Sequence, residues 1–259
     1  MHAALIPMLL LSLIHGFRAV RIGVGLQPKK SRWGIFIFAT AALCKENIWR
    51  DAETLKWFRT GSVAPDWAFS AMPASATEPP SDEQSAPRSR IAVSFRGDGS
   101  VISDSMVIAL RDVAKDLGRK LVVVVQVERD QTALRDLAQR LNCDFVGWTT
   151  QDHLTQERRV RDAYRESSLV VSDRLHALII AVNEGCVPVG LMEHSTSKVE
   201  RNFATTSFPF ISADVTGWEP SRIADEIRGG LKVKRACDIA ALAAEDLVRS
   251  LDQKVKNYG

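Results

Sequence analysis

The residues best placed to do chemistry fall in one stretch, LVVSDRLHALIIAVNEGCVPVGLM, residues 169–192. A strand-like run over 169–172 is followed by a helical pattern over 175–184, so Arg174 and His176 fall in the first turn of a helix that leaves a strand. Ser172 or Asp173 is expected to cap that helix. A helix N-terminus presents unpaired N–H groups and a partial positive charge, which suit an anion. A guanidinium adds a bidentate grip on phosphate or carboxylate, and an imidazole adds a proton carrier near neutral pH. In isolation such a pair reads as a solvated charge beside a structural histidine. Its position directly after a core strand favours a site.

Two further arginines also close strand-like runs. In NIWRDAETLKWF, Arg50 ends a strand and Asp51 can cap the next helix, the role favoured for Asp51 over ligand binding. In SFRGDGS, Arg96 is followed by Gly97 and Gly99, which let backbone amides approach a ligand but form a weak phosphate-loop signal. The Arg-Gly-Asp tripeptide there is read as a chance match to an adhesion motif. Lys198 lies beyond the strand over 188–192, in a loop with His194, Ser195 and Ser197, and suits a phosphate or solvent equally. Gly23-Val24-Gly25 lacks the third glycine of a dinucleotide fingerprint. No H-x-x-x-H or carboxylate cluster points to a metal. Cys44, Cys143, Cys186 and Cys237 are far apart, which argues against a zinc site or disulfide framework and for a reducing cytoplasm.

The elements that must carry these residues follow from the apolar pattern. Strand-like runs over 91–96, 121–126, 144–148, 169–172, 188–192 and 208–212 alternate with helical patterns over 102–117, 131–141, 156–166, 175–184 and 196–202. Nearly continuous apolar strands between amphipathic helices predict a parallel sheet covered on both faces, a doubly wound, Rossmann-like domain. Before it, helices over 5–17, 35–45 and 52–59 alternate with strands over 19–26, 47–50 and 63–69. The apolar run over 5–14 is expected to be a buried helix rather than a signal peptide, since no Lys or Arg precedes it. The Pro-, Ser- and Ala-rich stretch over 70–90 has no apolar period and reads as a linker. The expected organisation is an N-terminal domain over 1–70, a linker over 71–89, a second domain over 90–217 and C-terminal helices over 218–259. The last of these, over 238–256, is predicted to pack through Ile239, Leu242, Leu247 and Leu251. The net charge of +3 in 259 residues singles out no nucleic acid; it suits a small anion or an anionic membrane surface.

These segments resemble the polysaccharide pyruvyl transferases. VVSDRLHALIIAVNEGCVPVGLMEHSTSK is similar to that family's C-terminal signature, IWRDAETLKWFRTGSVAPDWAF to its Arg-Asp segment, and IAVSFRG to the opening of its second domain. The order and spacing agree from about residue 10 to about residue 215. The resemblance implies an α/β fold of two Rossmann-like domains in a glycosyltransferase-B-like arrangement, with parallel sheets. It implies essential roles for Arg174 and His176 and a donor-holding role for Arg50 or Arg96. It also implies phosphoenolpyruvate as donor substrate, no cofactor, and a glycan acceptor, with lipid linkage left open. The family's opening strand and Asn-x-Gly-Asp loop do not occur here, so the first domain is expected to be incomplete.

Phosphoenolpyruvate carries a phosphate and a carboxylate on three carbons, and arginine can grip both. Substrate contacts are therefore expected from Arg50, Arg96, Lys198, Ser172 and Asp51, with Arg174 and His176 catalytic and no metal. The setting is expected to be cytoplasmic, with peripheral contact at the inner membrane surface left open and no nucleic-acid partner. Two alternatives stand beside this reading: a nucleotide-sugar glycosyltransferase of the same fold, and a non-catalytic subunit of a polysaccharide-synthesis complex.

Overall fold

The computed structural model describes residues 2–17, 19–26, 34–70, 88–97, 102–149, 152–193, 197–206, 210–233 and 236–256. The chain divides into two compact units. The first comprises residues 1–67, 201–206 and 244–259; the second comprises residues 68–200 and 207–243. Of the predicted linker over 71–89, residues 71–87 lie outside the described residues.

The second unit is a six-stranded, wholly parallel sheet. Its strands are β4 (Arg90–Ser94), β5 (Lys120–Val124), β6 (Asp144–Val146), β7 (Ser167–Ser172), β8 (Val187–Met192) and β9 (Ile211–Asp214), in the order β6-β5-β4-β7-β8-β9. Chain direction across the sheet reverses between β4 and β7, the switch point of a doubly wound fold. The apolar runs dictate this burial: Ile91, Val93, Val123, Leu169, Val171, Val189 and Leu191 face one core, together with α4 (Asp104–Asp116), α5 (Gln131–Leu141) and α9 (Pro220–Gly230). Their strand neighbours Ala92, Val122 and Val170 are equally buried. They point the other way, where α6 (His153–Arg165) and α7 (Leu175–Asn183) pack. A residue apolar on both faces has no water-facing option, so a run of them becomes a central strand.

Local chemistry sets the helix ends. Ser103 accepts the Met106 N–H at the start of α4, and Asp152 accepts the Leu154 and Thr155 N–H groups at the start of α6. That cap starts α6 three residues earlier than the apolar pattern alone predicts. Pro188 is tolerated inside β8 because β9 pairs only from Val189 onward. At Gly230 an added Cβ would lie 2.4 Å from Val189 Cγ2, so glycine lets α9 approach β8.

The first unit holds a three-stranded parallel sheet, β1 (Val20–Val24), β2 (Glu46–Trp49) and β3 (Ser62–Val63), with α1 (His2–Ile14), α2 (Gly34–Leu43) and α3 (Ala52–Phe58). Two predictions are corrected here. The strand expected over 63–69 is two residues long, because Pro65 has no N–H for a ladder and Trp67–Ser70 winds into a 3₁₀ turn. The helix expected to be buried, α1, is largely exposed: Leu9 is buried but Ile14 is 77% exposed. In α10 (Ala236–Lys256), Ile239 and Leu247 are buried as predicted, but Leu242 is exposed and Ala240 and Ala243 take the inner positions. Leu247 and Leu251 pack with Ile22, Ile48 and Ala64 of the first unit.

The centre of the first unit is Trp49, which stacks on Phe58 at 4.6 Å and donates its indole N–H to the Thr60 carbonyl at 2.7 Å. Gly61 follows with φ of +95°, and a Cβ there would lie 2.1 Å from the Asn47 carbonyl oxygen. Gly61→Ala is therefore expected to cost more than about 1 kcal/mol, read by urea denaturation. An unchanged midpoint would contradict this packing.

Candidate active site

At the switch point the loops after β4, β5 and β7 are tied together by side chains. The strands pair with Ser94 opposite Ser172. The buried Ser172 hydroxyl donates to the Ser94 carbonyl and accepts the Arg174 N–H at 2.9 Å. Ser172 thus shapes the turn into α7 and does not cap the helix. Asp173 does not occupy the cap position either: Arg174 does, and it makes no side-chain cap hydrogen bond.

Asp173 instead turns to the neighbouring loop. Its Oδ1 accepts the Arg96 N–H at 2.9 Å, and its Oδ2 lies 3.7 Å from Arg96 Nε. Arg174 ion-pairs with Asp130, which is fully buried before α5. The other oxygen of Asp130 accepts the Gly97 N–H at 2.8 Å. Only glycine fits at 97, since a Cβ there would lie 2.8 Å from Asp130 Cα. Arg174 Nε is buried with no hydrogen-bond partner, so this guanidinium keeps an unused donor. His176 is exposed in the first turn of α7.

The structure groups Arg96, Ser172 and Arg174, which the sequence places after two different strands, with two carboxylates that the sequence does not assign there. Asp173 was read as a helix cap. Asp130 lies in the polar run VERDQ, where nothing in the local pattern marks a buried charge. The result is two guanidinium–carboxylate pairs, Arg174–Asp130 and Arg96–Asp173, with no formal net charge. Burial pushes the Asp173 carboxyl above its ordinary value, against the opposing pull of Arg96 and Arg174. Burial also raises the phenol of Tyr164, which adjoins Ser94 beneath the switch point.

The remaining predicted residues lie elsewhere. Lys198 is in the first turn of α8 (Ser197–Phe203), not in a loop, beyond the carboxyl end of β8. His194 and Ser195 lie outside the described residues. Arg50 and Asp51 belong to the first unit. Arg50 Nη1 donates to Asp66 Oδ2 at 2.8 Å in a nearly buried pair. Asp51 caps α3 by accepting the Thr54 N–H at 2.7 Å and the Thr54 hydroxyl at 2.9 Å, and it is only 2% exposed. The loop after β1 closes on both: a Cβ at Gly25 would lie 2.5 Å from Arg50 Nε and 2.7 Å from Asp51 Oδ2. Among the described residues no group of three His, Cys, Asp or Glu side chains could hold a metal ion.

A parallel α/β sheet with guanidinium groups and a helix N-terminus at its switch point is an arrangement chemically suited to an anion. A family model for polysaccharide pyruvyl transferase matches residues 6–195, and the chain belongs to that family. None of the curated proteins matches it by sequence. Solved structures with a similar fold include Anabaena Alr3699/HepE in complex with UDP and glucose. It is 13% identical, with 100% of this chain and 76% of that chain covered and a TM-score of 0.57. The UDP-GlcNAc 2-epimerase from Neisseria meningitidis bound to UDP-GlcNAc is 13% identical, with 96% and 73% covered and a TM-score of 0.55. The S. aureus MnaA–UDP structure is 12% identical, with 96% and 72% covered and a TM-score of 0.58. These likenesses establish the GT-B-like α/β fold with parallel sheets.

The Asp173 carboxyl gives a signed prediction. Its pKa is higher folded than unfolded, so between those values the folded state holds a proton that the unfolded state has lost. This group then costs stability as pH rises through that window, and the full cost remains above it. Asp173→Asn is expected to raise the melting temperature by about 2 °C at neutral pH. The gain should vanish at about pH 3, below the ordinary carboxyl value. A loss of stability at neutral pH would show that pairing with Arg96 outweighs burial.

Proposed function

We propose that this protein transfers the pyruvyl group of phosphoenolpyruvate to two hydroxyls of a glycan, forming a ketal and releasing phosphate. The observation that carries this reading is the placement of Arg174 and Arg96 at the β4/β7 switch point, beside an uncapped helix N-terminus, in a member of this family. The setting proposed is the cytoplasm, and the acceptor is a cell-surface or exported polysaccharide or its precursor.

Arg174 is held at one edge by Asp130, and its side chain keeps 12% exposure through which to meet the donor's phosphate or carboxylate. Arg96 is held less tightly and can exchange Asp173 for the donor's second anion. A proton adds to the methylene carbon, which becomes a methyl group, and the adjacent carbon takes on positive character. One sugar hydroxyl attacks that carbon and gives up its proton. The carbon–oxygen bond to phosphate breaks, and a second hydroxyl closes the ketal as its proton leaves with the phosphate. His176 is assigned to proton transfer, since its exposed ring opens the same helix and an imidazole can both donate and accept a proton. The fixed guanidinium groups stabilise the charge that gathers on the departing phosphate. Lys198 is assigned a supporting contact with the donor.

A second reading, a nucleotide-sugar enzyme, is favoured by the UDP held in the fold neighbours. Against it, the carboxylate that ends α7, Glu184, is only 1% exposed and is consumed by Arg161 at 2.6 Å and Arg165 at 2.7 Å. It lies at the far end of α7 from Arg174.

Thermal-shift titration separates the two. Phosphoenolpyruvate is expected to stabilise the protein and UDP-GlcNAc to leave it unchanged, with the phosphoenolpyruvate shift lost in Arg174→Ala. Stabilisation by UDP-GlcNAc alone would replace the proposal with the second reading. With an acceptor in place, His176→Ala is expected to slow phosphate release at least about 100-fold with an unchanged circular dichroism spectrum. A variant that kept more than about a tenth of the rate would remove His176 from the proton transfer.

A further inference from the structure

The first unit exposes an apolar surface that its own fold does not cover. Helix α1 reads HAALIPMLLLSLI and α2 reads GIFIFATAAL, without a single Asp, Glu, Lys or Arg. The two helices pack against each other. Even so, Met8, Leu10, Leu11, Leu13 and Ile14 of α1, Phe17 just beyond it, and Ile35 and Phe38 of α2 all stay exposed, with Phe17 and Ile35 each at 70%. A helix that is apolar on all sides belongs in a core or a lipid phase, and an exposed patch this large marks an interaction surface.

Charge identifies what covers it. Residues 1–45 contain six basic residues, Arg18, Arg21, Lys29, Lys30, Arg32 and Lys45, and no Asp or Glu. This segment alone carries +6 in a chain whose total is +3, which leaves the other 214 residues at −3. A second copy docked on the same face would bring two +6 segments together. An anionic lipid surface instead offers hydrocarbon for the apolar side chains and negative headgroups for the basic ones. At 13 residues α1 is about 20 Å long, too short for a hydrocarbon core of about 30 Å. No helix among the described residues is long and apolar enough to cross a membrane. The helices would therefore lie in the interface rather than span it.

We infer that the α1–α2 face of the first unit docks on an anionic phospholipid bilayer. The docking does not depend on the reaction proposed above. If both hold, a lipid-linked glycan would be presented to this enzyme at the surface it sits on.

Co-sedimentation of the 259-residue chain with vesicles tests the inference. Partition onto vesicles of phosphatidylcholine with phosphatidylglycerol is expected to exceed that onto phosphatidylcholine alone by at least about tenfold, and to fall as salt screens the headgroups. Leu11→Glu and Ile14→Glu, made separately, should each weaken partition severalfold, with circular dichroism and melting unchanged. Leu242→Glu, at an exposed apolar position of the second unit, should leave partition unchanged. Three results would overturn the inference. They are equal partition onto the two vesicle types, equal partition of folded α1 variants and the parent, and a concentration-dependent dimer in sedimentation velocity that the α1 variants break. The last would assign the face to a second copy.

Discussion

The ion pair between Arg174 and Asp130 is the constraint on which the carboxyl end of the second unit's sheet depends. A carboxylate with no solvent exposure is tolerable only if its charge is matched and its oxygens are bonded. Asp130 meets both conditions, one oxygen on Arg174 and the other on the Gly97 N–H. Those partners come from the loops after β7 and β4, and Asp130 itself follows β5, so one side chain ties the ends of three adjacent strands. Gly97 is fixed as glycine by the same contact, because a Cβ would collide with the Asp130 backbone. The position of the guanidinium is thus determined by the fold before any ligand arrives, the preorganisation that electrostatic catalysis requires.

Asp173 makes the contrasting arrangement. It pairs with Arg96, but both side chains keep partial contact with solvent, at 23% and 32% exposure. Asp130, by contrast, is fully enclosed, and its partner Arg174 is only 12% exposed. Two arginines at one switch point are therefore held with different firmness, Arg174 anchored and Arg96 exchangeable. In the proposed reaction a donor with two anionic groups would meet one fixed cation and one that it must win from a carboxylate. A carboxylate so displaced would lose its counter-charge and bind a proton more readily, next to a reaction that begins with proton addition to carbon.

Much of this frame was legible in the sequence. The six strands of the second unit follow from runs such as LVVVV and LVVS, because a residue buried on both faces leaves an unbroken apolar string. Arg96 and Arg174 were found because they directly follow such strings. What could not be read is what depends on partners far along the chain. Asp130 sits 44 residues from Arg174 and 33 from Gly97, in a stretch that looks like any polar helix start. Asp173 has the composition of a cap, and only the neighbouring strand shows that it turns to Arg96 instead. In the first unit, local chemistry misled in two ways. Pro65 and the Arg50–Asp66 pair cut short a run that looked like a strand, and apolar composition was taken to mean burial for α1. Periodicity reports which residues prefer to leave water, not whether the rest of the fold supplies a cover.

That distinction bears on how chemistry should be read from this fold. The structures it resembles at 12–14% identity include enzymes bound to UDP or UDP-sugars, and their backbones alone would point to a nucleotide. The side chains at the switch point argue differently. The α7 carboxylate, Glu184, is locked to Arg161 and Arg165 in a brace between α6 and α7. With both oxygens engaged and only 1% exposure, Glu184 is a structural group at the closed end of the helix. The open end carries Arg174 and His176. A shared fold positions helix N-termini and strand ends for many ligands. In the proposed reaction the guanidinium groups and the imidazole would serve a compact, multiply charged anion, a reading that rests on the residues rather than on the architecture.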